Sequence, residues 1–209
     1  PDAMINYLAR LGWSHGDQEI FSRKELIEHF SFDSVNTSAA IFDADKLSWV
    51  NEQYIQSTPP EELAQRLEPH LVTTGVLTKD HGLNMQEIAK VIPCLKGRAK
   101  TLIEMAEKSA FFFKKQVEFD EKARSKFLTD EAKPLLEKVI TGLSALDDFS
   151  SDKIESLFKK TVEEESLKLG KLAQPVRVAL TGTTVSPGIY DVILLLGKEE
   201  TLKRLRDVI

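Results

Sequence analysis

The sequence predicts an all-α fold: one helical unit followed by two more. Three observations predict it. Apolar residues recur at three- and four-residue spacing almost throughout, which gathers them on one face of a helix. Side chains that cap helix N-termini stand just ahead of these stripes. Gly and Pro punctuate the stripes where helices end or begin.

The elements follow in order. Asp2 is placed to cap a first helix with Met4, Leu8 and Leu11 on one face and Gly12 as its stop. Ser22 and Glu25 form an S-x-x-E capping box ahead of Leu26, Ile27 and Phe30. Asp43 caps a helix whose stripe is Leu47, Val50 and Tyr54. Thr58, Pro59 and Glu61 predict a further start, with Leu63, Leu67 and Leu71 inward. Asn84 and Glu87 open the next helix, and Pro93 predicts a kink or a fresh start within it. Leu95, Leu102, Met105, Ala106 and Phe113 continue the apolar face as one long segment. Residues 130–146 and 152–169 read as helices, while Pro175–Leu180 fits either a brief strand or a buried helix. Ser186-Pro187-Gly188 starts a helix with Pro187 at its first position, Gly197 ends it, and a last helix carries Leu202, Leu205 and Ile209. Breaks at 57–60 and 129–130 divide the chain into units 1–57, 58–129 and 130–209.

Composition removes several function classes. With 42% hydrophobic and 29% charged residues in 209, the chain is expected to be globular and not disordered. No apolar run approaches the roughly 20 residues of a membrane span. One cysteine, Cys94, allows no internal disulfide, and four scattered histidines (His15, His29, His70, His81) show no metal-ligand spacing. The net charge of −5 is concentrated in residues 1–60, which leaves a basic surface on the remainder permissible. No nucleophile elbow, P-loop or Gly-rich nucleotide fingerprint is present. The run Glu163-Glu164-Glu165 reads as a solvated helix face. The chain starts with Pro1, which suggests a piece of a longer protein.

Three clusters have chemistry suited to RNA. Lys96-Gly97-Arg98-Ala99-Lys100 puts three cations in five residues. On a helix Lys96 and Lys100 would align and Arg98 would point the other way, presenting paired donors to a base edge. A solvated helix surface would look the same. Lys114, Lys115, Lys122, Arg124 and Lys126 could meet phosphates, but interleaved acids make a solvated surface the expected reading. Arg177, Thr181-Gly182 and Ser186-Pro187-Gly188-Ile189 combine a cation with a turn whose backbone a ligand can approach. Ile189 would pack on an unstacked base. An ordinary capped turn needs the same residues, and Asp191 sets an acid beside it. Trp13 and Trp49 both adjoin apolar stripes, and packing in a core or between domains is expected for both.

Two blocks carry a family resemblance. Asn6-Tyr7-Leu8-Ala9-Arg10-Leu11-Gly12-Trp13-Ser14, followed by Phe42-Asp43, Lys46-Leu47, Trp49, Asn51 and Tyr54-Ile55, resembles the stem-contact region of bacterial glutamyl-tRNA synthetase, a class I aminoacyl-tRNA synthetase. Arg177-Val178-Ala179-Leu180-Thr181-Gly182, Ser186-Pro187-Gly188 and Leu196-Gly197-Lys198-Glu199 resemble the end of its anticodon-binding region. The resemblance implies a stem-contact unit over 1–57 and two anticodon-binding units over 58–129 and 130–209, all helical. It implies that the catalytic domain, which carries the ATP-binding signatures and uses ATP and Mg2+, is absent here. No catalytic residue, cofactor or metal is therefore expected in this chain.

By the same resemblance the partner is tRNA(Glu), and the protein is a cytoplasmic monomer with no membrane partner. Arg177 and the turn Ser186, Pro187, Gly188 and Ile189 would meet the first two anticodon bases, and Arg98 the third. A cytosine there offers two acceptors to a donor-only Arg, whereas guanine offers donors that Arg cannot accept. Rejection of glutamine tRNA is the implied consequence, with the register at Arg98 open by one turn toward Lys96 or Lys100. The competing reading is a helical protein-interaction scaffold without RNA binding, suited by the acidic first third.

Overall fold

Residues 1–36 and 40–209 are described by a computed structural model; among them the chain forms eleven α-helices, three short 3₁₀ turns and no strand. Contacts gather these residues into two units. The first is Pro1–His70 with Asn84–Ala106, and the second is Leu71–Leu83 with Glu107–Ile209.

The first unit holds α1 (Asp2–Arg10), α2 (Arg23–His29), α3 (Ala44–Ser57), most of α4 (Pro60–Thr73), α5 (Met85–Leu95) and the start of α6 (Leu102–Phe113). Local chemistry sets the helix starts. The Ser22–Glu25 box is closed in both directions, Glu25 N–H to Ser22 Oγ at 3.2 Å and Ser22 N–H to Glu25 Oε2 at 2.6 Å. Asn84 and Glu87 form the same device. Asp43 accepts from the amides of Asp45 and Lys46 at 2.9 and 3.0 Å. These boxes satisfy amides that have no acceptor inside the helix.

Helix α1 starts at Asp2 itself, with Pro1 in the cap position, so Asp2 does not cap it as expected. Two further starts differ from expectation. Helix α4 begins at Pro60, because Thr58 closes α3 instead: its hydroxyl donates to the Tyr54 carbonyl at 2.6 Å. Helix α5 runs through Pro93 to Leu95, carried by the buried face of Ile88, Val91, Ile92 and Leu95. The apolar segment expected to continue from there is broken by a 3₁₀ turn at Lys96–Arg98.

The second unit adds α7 (Glu121–Phe127), α8 (Lys133–Ser144), α9 (Ser151–Glu164), α10 (Leu169–Thr181) and α11 (Ile189–Arg206). Its core joins Leu136, Val139 and Leu143 to Ile154, Phe158, Leu172, Val176, Ala179, Val192 and Leu205. This core decides the ambiguous stretch 175–180. Leu172, Val176, Ala179 and Leu180 face inward at helical spacing, so α10 continues through Pro175. Helix α11 starts at Ile189 and not at Pro187, with Gly188 in the cap position. Gly197 has φ 78° and ψ 167°, which divides α11 into two helical segments where a stop was expected.

The two tryptophans part company. Trp13 is 3% exposed and packs with Phe21 and Leu26, while Trp49 is 40% exposed. No helix among the described residues is long and apolar enough to cross a membrane.

Candidate nucleic-acid interface

In the second unit the segment from Arg177 to Ile189 is built as one fixed turn. Helix α10 ends at Gly182, whose φ of 77° is the left-handed conformation a helix stop needs. The close backbone approach that glycine permits is made to the chain itself. A Cβ on Gly182 would overlap the Glu118 carbonyl oxygen and lie 2.8 Å from its carbon. The Gly182 carbonyl also accepts from Asp120 N–H at 2.9 Å.

Arg177 then bridges back to the far side of the turn. Its Nη1 donates to the Pro187 carbonyl at 2.7 Å and to Ser186 Oγ. Arg177 and Ser186 are half-buried, Pro187 is buried and Gly188 is exposed. Ile189 is 6% exposed and belongs to the unit's core, so its side chain leaves little surface for the packing expected of it. What it offers at the turn is its backbone amide, in the first turn of α11. Asp191 faces the same turn, since a Cβ on Gly188 would lie 2.6 Å from its carboxylate. A carboxylate in the first helical turn suits the helix dipole and sets a negative charge beside the exposed glycine.

Arg98 belongs to the first unit, where the basic cluster is not on an α-helix. Lys96, Gly97 and Arg98 form the 3₁₀ turn, Ala99 is extended, and Lys100 follows. The expected alignment of Lys96 with Lys100 therefore does not form. Lys96 donates to the carbonyls of Gln56, at 3.1 Å, and Thr58. It caps the C-terminal carbonyls of α3, a task that consumes its charge within the fold. Arg98 and Lys100 are exposed. Lys100 is fixed through its backbone, whose carbonyl accepts from Asn51 at 2.6 Å and whose amide donates to Glu104 at 3.0 Å.

The first resemblance block is a structural frame. Asn6 accepts from Phe21 N–H at 2.7 Å and donates to the Glu19 carbonyl at 2.9 Å. Tyr7 accepts from Asp43 N–H at 2.6 Å, and Tyr54 donates to the Phe21 carbonyl at 2.5 Å. Burial raises the Tyr54 pKa above its ordinary value. Arg10 donates to Glu19 at 2.7 Å and holds that carboxyl below its usual range, with a smaller opposing effect from burial. In the second basic cluster, Lys114 pairs with Glu118 at 2.7 Å and Arg124 lies over Phe119.

Sequence reasoning missed one cation altogether. Arg204 is buried and donates to the carbonyls of Phe111, Leu180 and Lys114 and to Glu200. The i, i+4 pair Glu200–Arg204 was the visible signal, but such pairs are common on exposed faces.

The all-helical second unit thus presents a turn, residues 182–188, that Arg177 clamps from within. Residues 62–209 match the family model described as anticodon binding domain, and the chain belongs to that family. Residues 1–49 match the model for the catalytic domain of class I tRNA synthetases (E and Q). The glutamate–tRNA ligase of Thermodesulfovibrio yellowstonii is 46% identical over 208 residues, 100% of this chain and 45% of that protein. The glutamate–tRNA ligase of Syntrophobacter fumaroxidans is 47% identical over 209 residues, 100% of this chain and 44% of that protein. The chain thus spans less than half the length of these curated relatives. Among solved structures, the glutamate tRNA ligase of Elizabethkingia meningosepticum superposes with a TM-score of 0.84 at 32% identity, covering 100% of this chain and 40% of that one.

Proposed function

We propose that this chain is the tRNA-binding region of a glutamate–tRNA ligase, recognising the anticodon of tRNA(Glu). The match of residues 62–209 to the anticodon binding domain is the observation that carries this reading. The attachment of glutamate, with ATP and Mg2+, is assigned to a catalytic domain of the kind the longer relatives' names imply. The division into a stem-contact unit (1–57) and two anticodon-binding units (58–129 and 130–209) belongs to the same proposal. So do a monomeric state and a cytoplasmic location.

Arg177, Ser186, Pro187, Gly188 and the backbone of Ile189 are proposed to meet the first two anticodon bases. Arg98 is proposed to meet the third. The exposure of Arg98 and the commitment of Lys96 to α3 support Arg98 over Lys96 as the reader. A cytosine at that base accepts from the guanidinium through O2 and N3, and a guanine opposes donors to donors. The scaffold alternative is not favoured, because it gives no account of the similarity to tRNA ligases along the whole chain.

The test is filter binding of the 209-residue chain to tRNA(Glu) and to an unrelated tRNA at low salt. Preferential binding to tRNA(Glu) that weakens as salt rises is expected. Equal affinity for both would refute anticodon reading.

A further inference from the structure

We propose that Val185 is the apolar platform on which an unstacked anticodon base rests. This rests on the anticodon-reading proposal and adds to it a contact that Ile189 is too buried to make. The loop between α10 and α11 carries one large apolar side chain in the open. Val185 is 79% exposed, although a β-branched aliphatic residue has no solvation reason to stand at a loop tip. A single exposed valine on an ordinary surface is unremarkable. Here its backbone setting is what counts.

The loop is held at both ends and along its length. Gly182 is fixed against Glu118 and Asp120 at one end. At the other, Arg177 holds Ser186 and Pro187. Between them the Thr183 hydroxyl donates to the Val185 carbonyl at 2.8 Å, and the Thr183 amide donates to Thr181 Oγ1 at 3.4 Å. Ser186 Oγ closes onto the Pro187 carbonyl at 2.9 Å. None of these bonds uses the Val185 side chain. They fix where it projects, so little conformational freedom is lost when a flat ring settles on it. Thr183 and Thr184, also exposed, leave the platform flanked by polar residues that suit a base edge.

The experiment measures binding of the 209-residue chain to a synthetic 17-nucleotide tRNA(Glu) anticodon stem-loop, and to three versions each abasic at one anticodon position. Val185→Ser is expected to weaken binding of the intact loop about fivefold, as loss of a small apolar contact should. With one of the three abasic loops that loss should vanish, because the base that rests on Val185 is already gone. Val185→Ile should bind as well as the parent. A fivefold loss that persists with every abasic loop, or no loss at all, overturns the proposal. Arg177→Ala serves as the separate control. If it weakens binding while Val185→Ser does not, anticodon reading stands and the Val185 platform falls. If the parent chain does not distinguish the cognate loop from one of scrambled anticodon, both fall.

Discussion

Arg204 donates to the backbone carbonyl of Leu180 at 2.8 Å from a position 4% exposed. The same guanidinium reaches the Phe111 carbonyl at 2.7 Å and the Lys114 carbonyl at 3.1 Å, while its Nε pairs with Glu200 at 2.7 Å. One cation thus closes the carbonyl ends of α6 and α10, where peptide dipoles concentrate negative charge. Arg204→Met removes every one of these donors and leaves carbonyls unsatisfied. We expect a loss of about 2–4 kcal/mol in the stability of this unit. A lower urea midpoint at unchanged slope would show it, and a change below about 0.5 kcal/mol would contradict it.

Gly182→Ala is expected to be as damaging for a different reason. The residue must keep φ 77° and must admit the Glu118 backbone where a Cβ would stand. Backbone cannot yield as a flexible side chain can. A destabilisation of about 3 kcal/mol or more is expected, read as a fall in thermal midpoint. Gly16, also at positive φ but with open space around its Cβ position, provides the comparison and should cost less.

Lys96 and Arg98 separate folding from recognition. Lys96→Met removes the donor to the Gln56 and Thr58 carbonyls and should cost about 1 kcal/mol of stability. RNA affinity per folded molecule should be retained. Arg98→Gln should instead shrink the preference for cytosine over guanine at the third anticodon position by about tenfold, measured with paired stem-loops. Unchanged preference would remove Arg98 from the proposed reading.

Glu19 gives a pH signature. Arg10 and Lys46 lie 2.7 and 3.2 Å from its carboxylate, and the Arg10 hydrogen bond is the larger cause of its depressed pKa. A depressed carboxylate stabilises the fold above its unfolded pKa of about 4.3, and that contribution disappears as pH falls through the folded value. Glu19→Gln should therefore lower the thermal midpoint at pH 7, and the gap to the parent should begin to shrink as pH falls below the unfolded value of about 4.3 and vanish only below the lowered folded one. A gap that is equal at pH 7 and pH 3 would show that the ion pair contributes nothing.

Local chemistry was legible at several helix starts, though not at Thr58, which closes α3 and does not open α4. Ser22 with Glu25, Asn84 with Glu87 and Asp43 all cap the helices their spacing indicated, since the partner amides lie two or three residues away. Proline was less legible. Pro93 and Pro175 break a rule of local propensity, but buried faces on the same helices outweigh the single lost hydrogen bond. The role of each cation was least legible, because a charge run looks the same whether it is solvated or spent on a carbonyl forty residues distant.

The sequence by itself determined that the chain is all-helical, where most helices begin, and which residues resemble an anticodon-reading family. Periodicity and capping are short-range, so they survive without knowledge of the fold. Only the tertiary structure decided that Lys96 caps α3, that Ile189 is sealed in a core and that Gly182 is reserved for the Glu118 backbone. Each of those depends on a partner remote in sequence, and only chain packing chooses that partner.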